Sequence, residues 1–226
     1  INGLSGFDIA QIDSTSSGAV FSRDGSGRWV VMSSQGADAL SSIEQVQFTT
    51  SNEFISLGYP ETLINTTTTD EQQTPSVTAL ADGGWLVSWR SNLQDGSDWG
   101  IYQQRYNADG STTGWTETLV NTTTINAQMD PSVTALSDGG WLVSWMGSDV
   151  SGLGIFLQRY NADGSTTGWS ETQVNTYTSS SQQTPSIAAL VGGGWLVSWT
   201  SLLQDGDNFG VYQQRYNADG STTGWV

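Results

Sequence analysis

Five aspartates lie in three glycine-containing loops of this sequence, where they could bind a hard cation. They are Asp95, Asp98, Asp149, Asp205 and Asp207. Closely spaced carboxylates suit Ca²⁺, which takes about six to eight oxygen ligands. At most two carboxylates come from each loop, so Gln94, Gln204 and backbone carbonyls would have to complete the set. The alternative interpretation is a group of solvated acidic turns, and the sequence leaves both open.

A second group of candidate residues is aromatic and could stack on a sugar ring. Trp99 lies in the first of these loops and is replaced by Leu153 and Phe209 in the other two. It is the better candidate for a ligand contact because the loops differ from copy to copy. Three further tryptophans follow a Ser-Thr-Thr-Gly segment and are either sugar platforms or lids over a strand edge: Trp115, Trp169 and Trp225. The predicted ligand-binding residues are these three with Trp99 and Phe209.

Composition excludes several other kinds of chemistry. The chain has no histidine and no cysteine, which removes zinc, haem and iron–sulfur sites and leaves oxygen ligation. It has 22 acidic residues against six arginines, for a formal net charge of −16. Such a surface repels phosphate backbones and anionic lipids, so nucleic acid is not an expected partner. No apolar run approaches the roughly 18–20 residues of a membrane span, so membrane insertion is not expected either.

Catalysis is the last chemistry to weigh. Paired carboxylates alone can hydrolyse a glycosidic bond. An active site, however, needs residues that occur in one place, and the prominent residues here are replicated threefold. Glu53, Glu61 and Glu71 are not set in a recognisable catalytic pattern. The sequence therefore predicts no catalytic residue and no enzyme activity, with a glycosidase-type propeller as a remote alternative.

An internal repeat must position all these residues. The string QRYNADGSTTGW occurs unchanged at Gln104–Trp115, Gln158–Trp169 and Gln214–Trp225, with starts 54 and 56 residues apart. The heptapeptide GGWLVSW follows the same rhythm, beginning at Gly83, Gly139 and Gly193. Repetition at a fixed period indicates one supersecondary unit copied in tandem. Residues shared by every copy are expected to fold and pack the units.

Each copy reads as four antiparallel strands with tight turns, followed by a longer crossover. This is the plan of a β-propeller blade. The sequence predicts an all-β array of three four-stranded blades, over 75–122, 131–176 and from 185 onward. Pro75, Pro131 and Pro185 are expected at the first strand position, where a missing N–H costs nothing. The alternative architecture is a row of small β-sandwich or solenoid units.

The domain boundary is predicted near residue 58. Residues 59–226 form the three repeats (61–116, 117–170 and 171–226). Residues 1–58 do not follow the repeat, but strand-like segments are present at Phe7–Gln11, Ala19–Arg23, Trp29–Met32 and Ile43–Thr49. These form a small N-terminal β module or a degenerate blade.

Closure of the array raises a question of assembly. Glu61–Asn65 has the sequence of a fourth strand, like Glu117–Asn121 and Glu171–Asn175, but no blade of the same type precedes it. The third blade reaches Trp225 just as its own fourth strand should start. Three blades rarely close a ring, so self-association, or further repeats in a longer parent chain, is expected to complete it.

Two segments resemble parts of large bacterial RTX-type surface proteins. Asp38–Phe48 (DALSSIEQVQF) resembles the β segment that flanks their calcium-binding repeats, although the glycine-rich calcium nonapeptide itself is absent. The long repeat, with Pro75–Leu80, Asp82–Trp89 and Gly100–Gly110, is similar to a tandem element of such adhesins. The resemblance implies secretion to the cell surface and an adhesive or matrix role.

These observations combine into one functional hypothesis. The chain is expected to be a non-catalytic extracellular repeat module that binds a glycan or a cell-surface or matrix ligand, with Ca²⁺ as a candidate ion. The alternative is a structural assembly or spacer unit that self-associates by strand exchange.

Overall fold

A computed structural model describes residues 9–12, 19–23, 28–33, 36–40, 45–48, 53–56 and 62–222 of the chain. The chain divides into two compact units, Ile1–Thr62 and Leu63–Val226. Each unit is described by itself below.

The first unit contains two three-stranded sheets. Its strands are β1 (Ile9–Ile12), β2 (Val20–Arg23), β3 (Trp29–Ser33), β4 (Gly36–Leu40), β5 (Gln45–Phe48) and β6 (Glu53–Ser56). One sheet has the order β1-β5-β6, with β1 parallel to β5, and the other is the antiparallel meander β2-β3-β4. Val31, Val46 and Phe48 are fully buried. Strands lie at all four predicted segments, although residues 7, 8, 43, 44 and 49 of those segments fall outside the described part; β4 and β6 are additional.

The second unit contains three sheets, one for each repeat. The first blade consists of β7 (Gln72–Ala79), β8 (Trp85–Asn92), β9 (Trp99–Tyr106) and β10 (Thr118–Leu119). The second consists of β11 (Gln128–Ala135), β12 (Trp141–Ser148), β13 (Leu153–Tyr160) and β14 (Thr172–Gln173). The third consists of β15 (Gln182–Ala189), β16 (Trp195–Leu202) and β17 (Phe209–Tyr216).

Every one of these three sheets is an antiparallel meander in chain order. The predicted all-β array of propeller-like blades is thereby confirmed. The first three strands of each blade are eight residues long, and the fourth has only two where it is present. In the third blade the described residues, which end at Thr222, include no fourth strand.

The tight turns explain the Asp-Gly pairs at Asp82-Gly83 and Asp138-Gly139, where the third repeat has Gly192-Gly193. Leu80 N–H donates to Gly84 O at 2.8 Å, and Gly83 N–H donates to Leu80 O at 3.1 Å. Gly83 has a φ of +86°, a conformation that costs a residue with a Cβ about 1–2 kcal/mol. The Asp82 carboxylate accepts from Gly84 N–H at 3.0 Å and closes the turn. The turn ending at Gly110, with a φ of +80°, repeats this arrangement.

The proline of each blade stands at a β-bulge inside the first strand and not at the first position that the sequence predicted. In the first blade the register shifts after Gln73, and Thr74, which precedes Pro75, has a φ of +52°. The same bulge recurs at Asp130–Pro131 and Thr184–Pro185. A bulge interrupts the hydrogen-bond ladder, so it tolerates a residue without an N–H.

Hydroxyl groups join the innermost strands of neighbouring blades. Ser76 Oγ accepts from Val133 N–H at 3.2 Å, and Thr78 Oγ1 accepts from Ala135 N–H at 3.3 Å. The same two bonds join the second and third blades, from Ser132 to Ile187 and from Thr134 to Ala189. These bonds satisfy N–H groups that an unpaired strand edge would leave open. They therefore fix the side-by-side order of the blades.

The apolar core lies between the blades. On β12, Trp141, Val143 and Trp145 face the first blade, whereas Leu142 and Met146 face the third. This is the alternation of side chains expected along a strand. The repeated GGWLVSW string thus supplies one face to each neighbour, which accounts for its presence in every copy.

Candidate functional site

The arginine of the QRYNADGSTTGW string links each blade to the next. Arg105 Nη1 donates to Ala162 O of the second blade at 2.7 Å, and Nη2 pairs with the Asp82 carboxylate. Its guanidinium lies 4.0 Å from the ring centroid of Trp115 and 5.3 Å from that of Trp141. Arg159 repeats these contacts with Ala218, Asp138, Trp169 and Trp195. A buried arginine needs such partners, so this part of the repeat is scaffold.

Two of the predicted sugar platforms are part of the same scaffold. An added Cβ at Gly164 would lie 2.6 Å from the ring of Trp115, and one at Gly220 would lie 2.7 Å from the ring of Trp169. Each indole is therefore held between an arginine of its own blade and a glycine of the next. Trp115 and Trp169 therefore lie where a lid over the strand edge would lie, and an arginine already covers one face of each ring. Trp225 lies outside the described residues.

The predicted metal ligands do not converge on one point. Asp95, Asp149 and Asp205 occupy equivalent loop positions, where Oδ1 of each accepts from the N–H two residues later at 3.1, 2.9 and 3.3 Å. Asp98 and Asp207 are exposed. Among the residues that the structure describes, no three His, Cys, Asp or Glu side chains form a group that could hold a metal ion. Calcium binding stays a prediction.

The glutamate that precedes the short fourth strand ties the crossover to the blade. Glu117 Oε2 accepts from Thr66 N–H and Oγ1–H at 2.6 and 3.0 Å, and Oε1 accepts from Gln94 Nε2. Burial raises the pKa of Tyr102 to about 12, and the Asp95 and Glu117 carboxylates add to the effect. In the second blade, Glu171 Oε2 accepts from Thr122 N–H and Oγ1–H at 2.6 and 2.9 Å, as Glu117 Oε2 accepts from Thr66. These carboxylates serve the fold.

An asparagine that sequence reasoning missed stands at the end of the fourth strand. Asn121 Oδ1 accepts from Ile101 N–H at 2.7 Å, and its Nδ2 donates to Thr123 O and Gln128 Oε1 at 2.9 and 3.3 Å. Its side chain therefore continues the strand pairing where the backbone leaves for the next blade. Asn175 repeats this role with Ile155, Tyr177 and Gln182. The sequence carried a signal for this role, because an asparagine follows Thr-x-Val in both of these repeats.

One group of polar residues in the array is not replicated, and it contains Trp99. Arg90 Nη2 donates to Gln73 Oε1 at 2.5 Å, and Nη1 lies 3.7 Å from Asp130 Oδ1 of the second blade. The Arg90 guanidinium lies 4.5 Å from the ring centroid of Trp99. Gln73 Nε2 donates in turn to Glu71 Oε2 at 2.7 Å. We call these five residues the Arg90 cluster.

The Arg90 cluster lies at the strand ends of the first two blades, next to the variable loops. Arg90 is near the end of β8, and Trp99 is the first residue of β9. Asp130 is brought there by the bulge of β11, where its φ of +52° departs from the strand. Arg90 and Asp130 retain side-chain exposures of 19% and 33%, so both can contact a molecule in solvent.

The other blades carry different chemistry at the same positions. The cross-strand pair Gln73–Arg90 of the first blade corresponds to Met129–Met146 in the second. In the third blade it corresponds to Gln183–Thr200, where the Thr200 hydroxyl donates to Gln183 O at 3.2 Å. The strands around these pairs are otherwise nearly identical. Sequence reasoning selected Trp99 but missed Arg90 and Asp130. Arg90 could have been noticed, because the residue after the GGWLVSW string differs in every copy (Arg90, Met146, Thr200); that string gives no signal for Asp130.

Phe209, the third-blade counterpart of Trp99, lies apart from this cluster and is 55% exposed. Phe209 lies on an exposed face of the third blade and is not part of the Arg90 cluster. The structure therefore separates the two predicted ligand contacts of the variable loops.

No protein-family model matches this sequence, and no curated protein matches it. Solved structures with a similar arrangement include the endo-arabinase from Bacteroides thetaiotaomicron VPI-5482, at 14% identity and a TM-score of 0.45, covering 86% of this chain and 72% of that one. The alpha-L-arabinofuranosidase from Lactobacillus brevis has 11% identity and a TM-score of 0.47, covering 90% and 74%. A fucose lectin from Kordia zhangzhouensis, in complex with methyl-fucoside, has 14% identity and a TM-score of 0.38, covering 67% and 99%.

These comparisons correct the functional prediction from the sequence. We expected a non-catalytic adhesion module and no enzyme activity, and that prediction is wrong, since solved glycoside hydrolases are among the similar structures. The Arg90 cluster, unlike the repeated residues, occurs once in the described array. The RTX-type resemblance and the extracellular location stay predictions. Within the described residues, no helix is long and apolar enough to cross a membrane.

Proposed function

We propose that the chain binds neutral glycans at the Arg90 cluster. The observation that carries this proposal is the unreplicated set of Arg90, Trp99 and Asp130 on an otherwise repeated scaffold. Sugar hydroxyls need closely spaced donors and acceptors, which guanidinium, carboxylate and amide groups supply. An indole beside them offers apolar surface to the C–H face of a sugar ring.

The charges of the protein narrow the ligand class further. With a net charge of −16, the surface disfavours long anionic polymers. The Arg90 guanidinium is already paired with Asp130 and Gln73, so it offers no unpaired positive charge to a phosphate or sulfate group. A neutral oligosaccharide fits both observations better than a phosphorylated or sulfated one.

Glycoside hydrolysis is a second candidate function. It is favoured by one observation: Glu71 and Asp130 stand at the two ends of a chain of polar contacts. Gln73 is hydrogen-bonded to Glu71 and Arg90, and Arg90 Nη1 lies 3.7 Å from Asp130 Oδ1. Two carboxyl groups are the side chains that most glycosidases use, one as acid and one as base or nucleophile.

The second blade offers matched variants for testing glycan binding. Arg90→Met and Trp99→Leu place in the first blade the residues that the second blade carries as Met146 and Leu153, so the scaffold is expected to tolerate them. A glycan array identifies the bound class, and titration of the best oligosaccharide should show a loss of about tenfold or more for either variant. Phe209→Leu, at the same loop position outside the cluster, should bind like the parent protein.

Hydrolysis is tested on the same oligosaccharides by release of reducing ends. Asp130→Asn and Glu71→Gln should abolish release while binding persists, if the two carboxyl groups react with the bond. Binding without any release would leave glycan recognition as the function. An array without specific ligands, or unchanged affinity of Arg90→Met, would overturn the glycan proposal.

A further inference from the structure

A small cavity lies between the first and second blades, apart from the Arg90 cluster. Its volume is about 110 Å³, about as much space as three to four water molecules take in the liquid at about 30 Å³ each. The indoles of Trp115 and Trp141 line it, together with the Arg105 guanidinium and the Gln103 amide. These residues are not members of the Arg90 cluster, so a site here is independent of the function proposed above.

The cavity has a buried polar floor and an exposed mouth. Gln103 is only 4% exposed and Trp141 only 2%. Thr116 and Thr118, which also line the cavity, are exposed. Hydroxyl groups therefore stand at the entrance, and an amide group stands at the inner end. A molecule that enters can replace its hydrogen bonds to water at both places.

The Gln103 amide is held in place and retains hydrogen-bonding capacity. Its Oε1 accepts from Trp141 Nε1 at 3.0 Å, and its Nε2 donates to Thr118 Oγ1 at 3.3 Å. An amide group has two N–H donors and an oxygen with two lone pairs, so one donor and one acceptor position remain. The fixed amide can thus donate to one bound hydroxyl group and accept from another.

The junction between the second and third blades provides a comparison within the same molecule, because it lacks this amide. Leu157 stands at the position of Gln103, and the cavity there has a volume of about 60 Å³. Trp195, the counterpart of Trp141, finds no hydrogen-bond partner for its Nε1 among the described residues. The arginine and the last tryptophan of the repeated string line both cavities. The amide in the floor therefore distinguishes the first junction from the second.

The charges around the first cavity favour a neutral ligand. Among the described residues, no acidic side chain lines it, so a cation finds no carboxylate there. The Arg105 guanidinium is paired with Asp82 and donates to Ala162 O, so it offers no unpaired charge to an anion. The net charge of −16 disfavours anions further.

We propose that this cavity binds a small neutral molecule with neighbouring hydroxyl groups, and that Gln103 selects it. The Gln103 amide exchanges hydrogen bonds with the inner hydroxyl groups, and Thr116 and Thr118 receive the outer one. The C–H groups of the ligand pack against the indoles that form the walls. Such hydroxyl groups occur on free polyols and at the edge of a neutral sugar, and the experiment separates these two sources.

Glycerol is the first probe, and its binding is followed through the tryptophan Nε1–H signals in nitrogen–proton NMR correlation spectra. The signals of Trp141 and Trp195 are assigned from their loss in Trp141→Phe and Trp195→Phe. In the parent protein the Trp141 signal should shift with added glycerol and then saturate. The Trp195 signal, at the junction that carries Leu157, should show only a linear solvent effect. Equal and non-saturating shifts of both signals would overturn the proposal.

The second junction also supplies matched variants. Gln103→Leu places in the first blade the residue that the second blade carries as Leu157, and the saturating response should be lost. Thr118→Val removes one hydroxyl at the exposed mouth, so it should keep the fold and weaken glycerol binding about threefold or more. Thr172→Val, the same change at the second junction, should bind glycerol like the parent protein. Saturation that survives Gln103→Leu, or equal effects of the two valine variants, would contradict the assignment.

Methyl β-glucoside, the second probe, distinguishes a sugar from a free polyol. Saturation of the Trp141 signal by the glucoside at a lower concentration than by glycerol would assign the cavity to the edge of a sugar. A response to glycerol alone would assign it to a free polyol. Both results support the cavity as a binding site for neighbouring hydroxyl groups, whereas the absence of a saturating response to either probe would refute it.

Discussion

The indole of Trp115 lies directly on Gly164, a glycine of the following repeat, so that an added Cβ would come within 2.6 Å of the ring. Trp115 and Gly164 occupy the last and seventh positions of two successive copies of QRYNADGSTTGW. Each copy thus carries both halves of the contact and uses one half with each neighbour. This head-to-tail use explains why the string does not vary: a change in one copy would disturb the contacts on both sides.

Gly164→Ala should destabilise the array more than an ordinary glycine substitution does. The φ of +80° at Gly164 costs alanine about 1–2 kcal/mol. Displacing the Trp115 ring should add about 1–3 kcal/mol, the usual cost of overpacking. Gly114→Ala is the matched control, because its φ is +84° and no atom lies within 4 Å of an added Cβ. Urea unfolding of both variants measures the difference, and equal losses would contradict the clash.

Asn121→Ala should weaken the junction between the first and second blades. It removes the acceptor of the buried Ile101 N–H and two donated hydrogen bonds. An unsatisfied buried group costs about 1–3 kcal/mol, and thermal unfolding should show a loss of that order. Asn121→Asp keeps an acceptor but places a carboxylate in a buried position beside Thr123 O and Gln128 Oε1, so it should destabilise the protein at least as much as Asn121→Ala. Unchanged thermal stability of Asn121→Ala would contradict the role of this side chain.

The sequence predicted the blades because their strands, turns and spacing depend on local chemistry. The Asp82-Gly83 turn and the alternation along β12 follow from preferences of neighbouring residues. The Arg90 cluster could not be found in this way, because Asp130 reaches Arg90 from the next blade through a bulge. Trp115 was ambiguous for a related reason: its environment is Arg105 of its own repeat and Gly164 of the next, and only the packing of the blades brings these together.

Acid should weaken the contact between the first hairpin and Arg105. The Gly84 N–H, with the Arg105 guanidinium, lowers the pKa of Asp82 below its ordinary value of 3.8. A lowered pKa in the folded state means that the stabilisation is present above that ordinary value and is lost as the pH falls below it. Asp82→Asn keeps an acceptor for Gly84 but cannot ionise. Its unfolding midpoint should therefore change less between about pH 5 and pH 3 than that of the parent protein; equal changes would contradict the assignment.

Alkali should act on the first blade through Tyr102. Burial, assisted by the Asp95 and Glu117 carboxylates, raises the pKa of Tyr102 to about 12, from about 10 in an unfolded chain. A raised pKa in the folded state gives stabilisation that is complete below about pH 10 and is lost as the pH approaches the folded value. Tyr102→Phe retains the ring and removes the ionisation, so its stability relative to the parent protein should rise between about pH 10 and pH 12. Tyrosine absorbance, recorded together with unfolding, measures this, and ionisation of Tyr102 near its ordinary value in the folded protein would contradict the prediction.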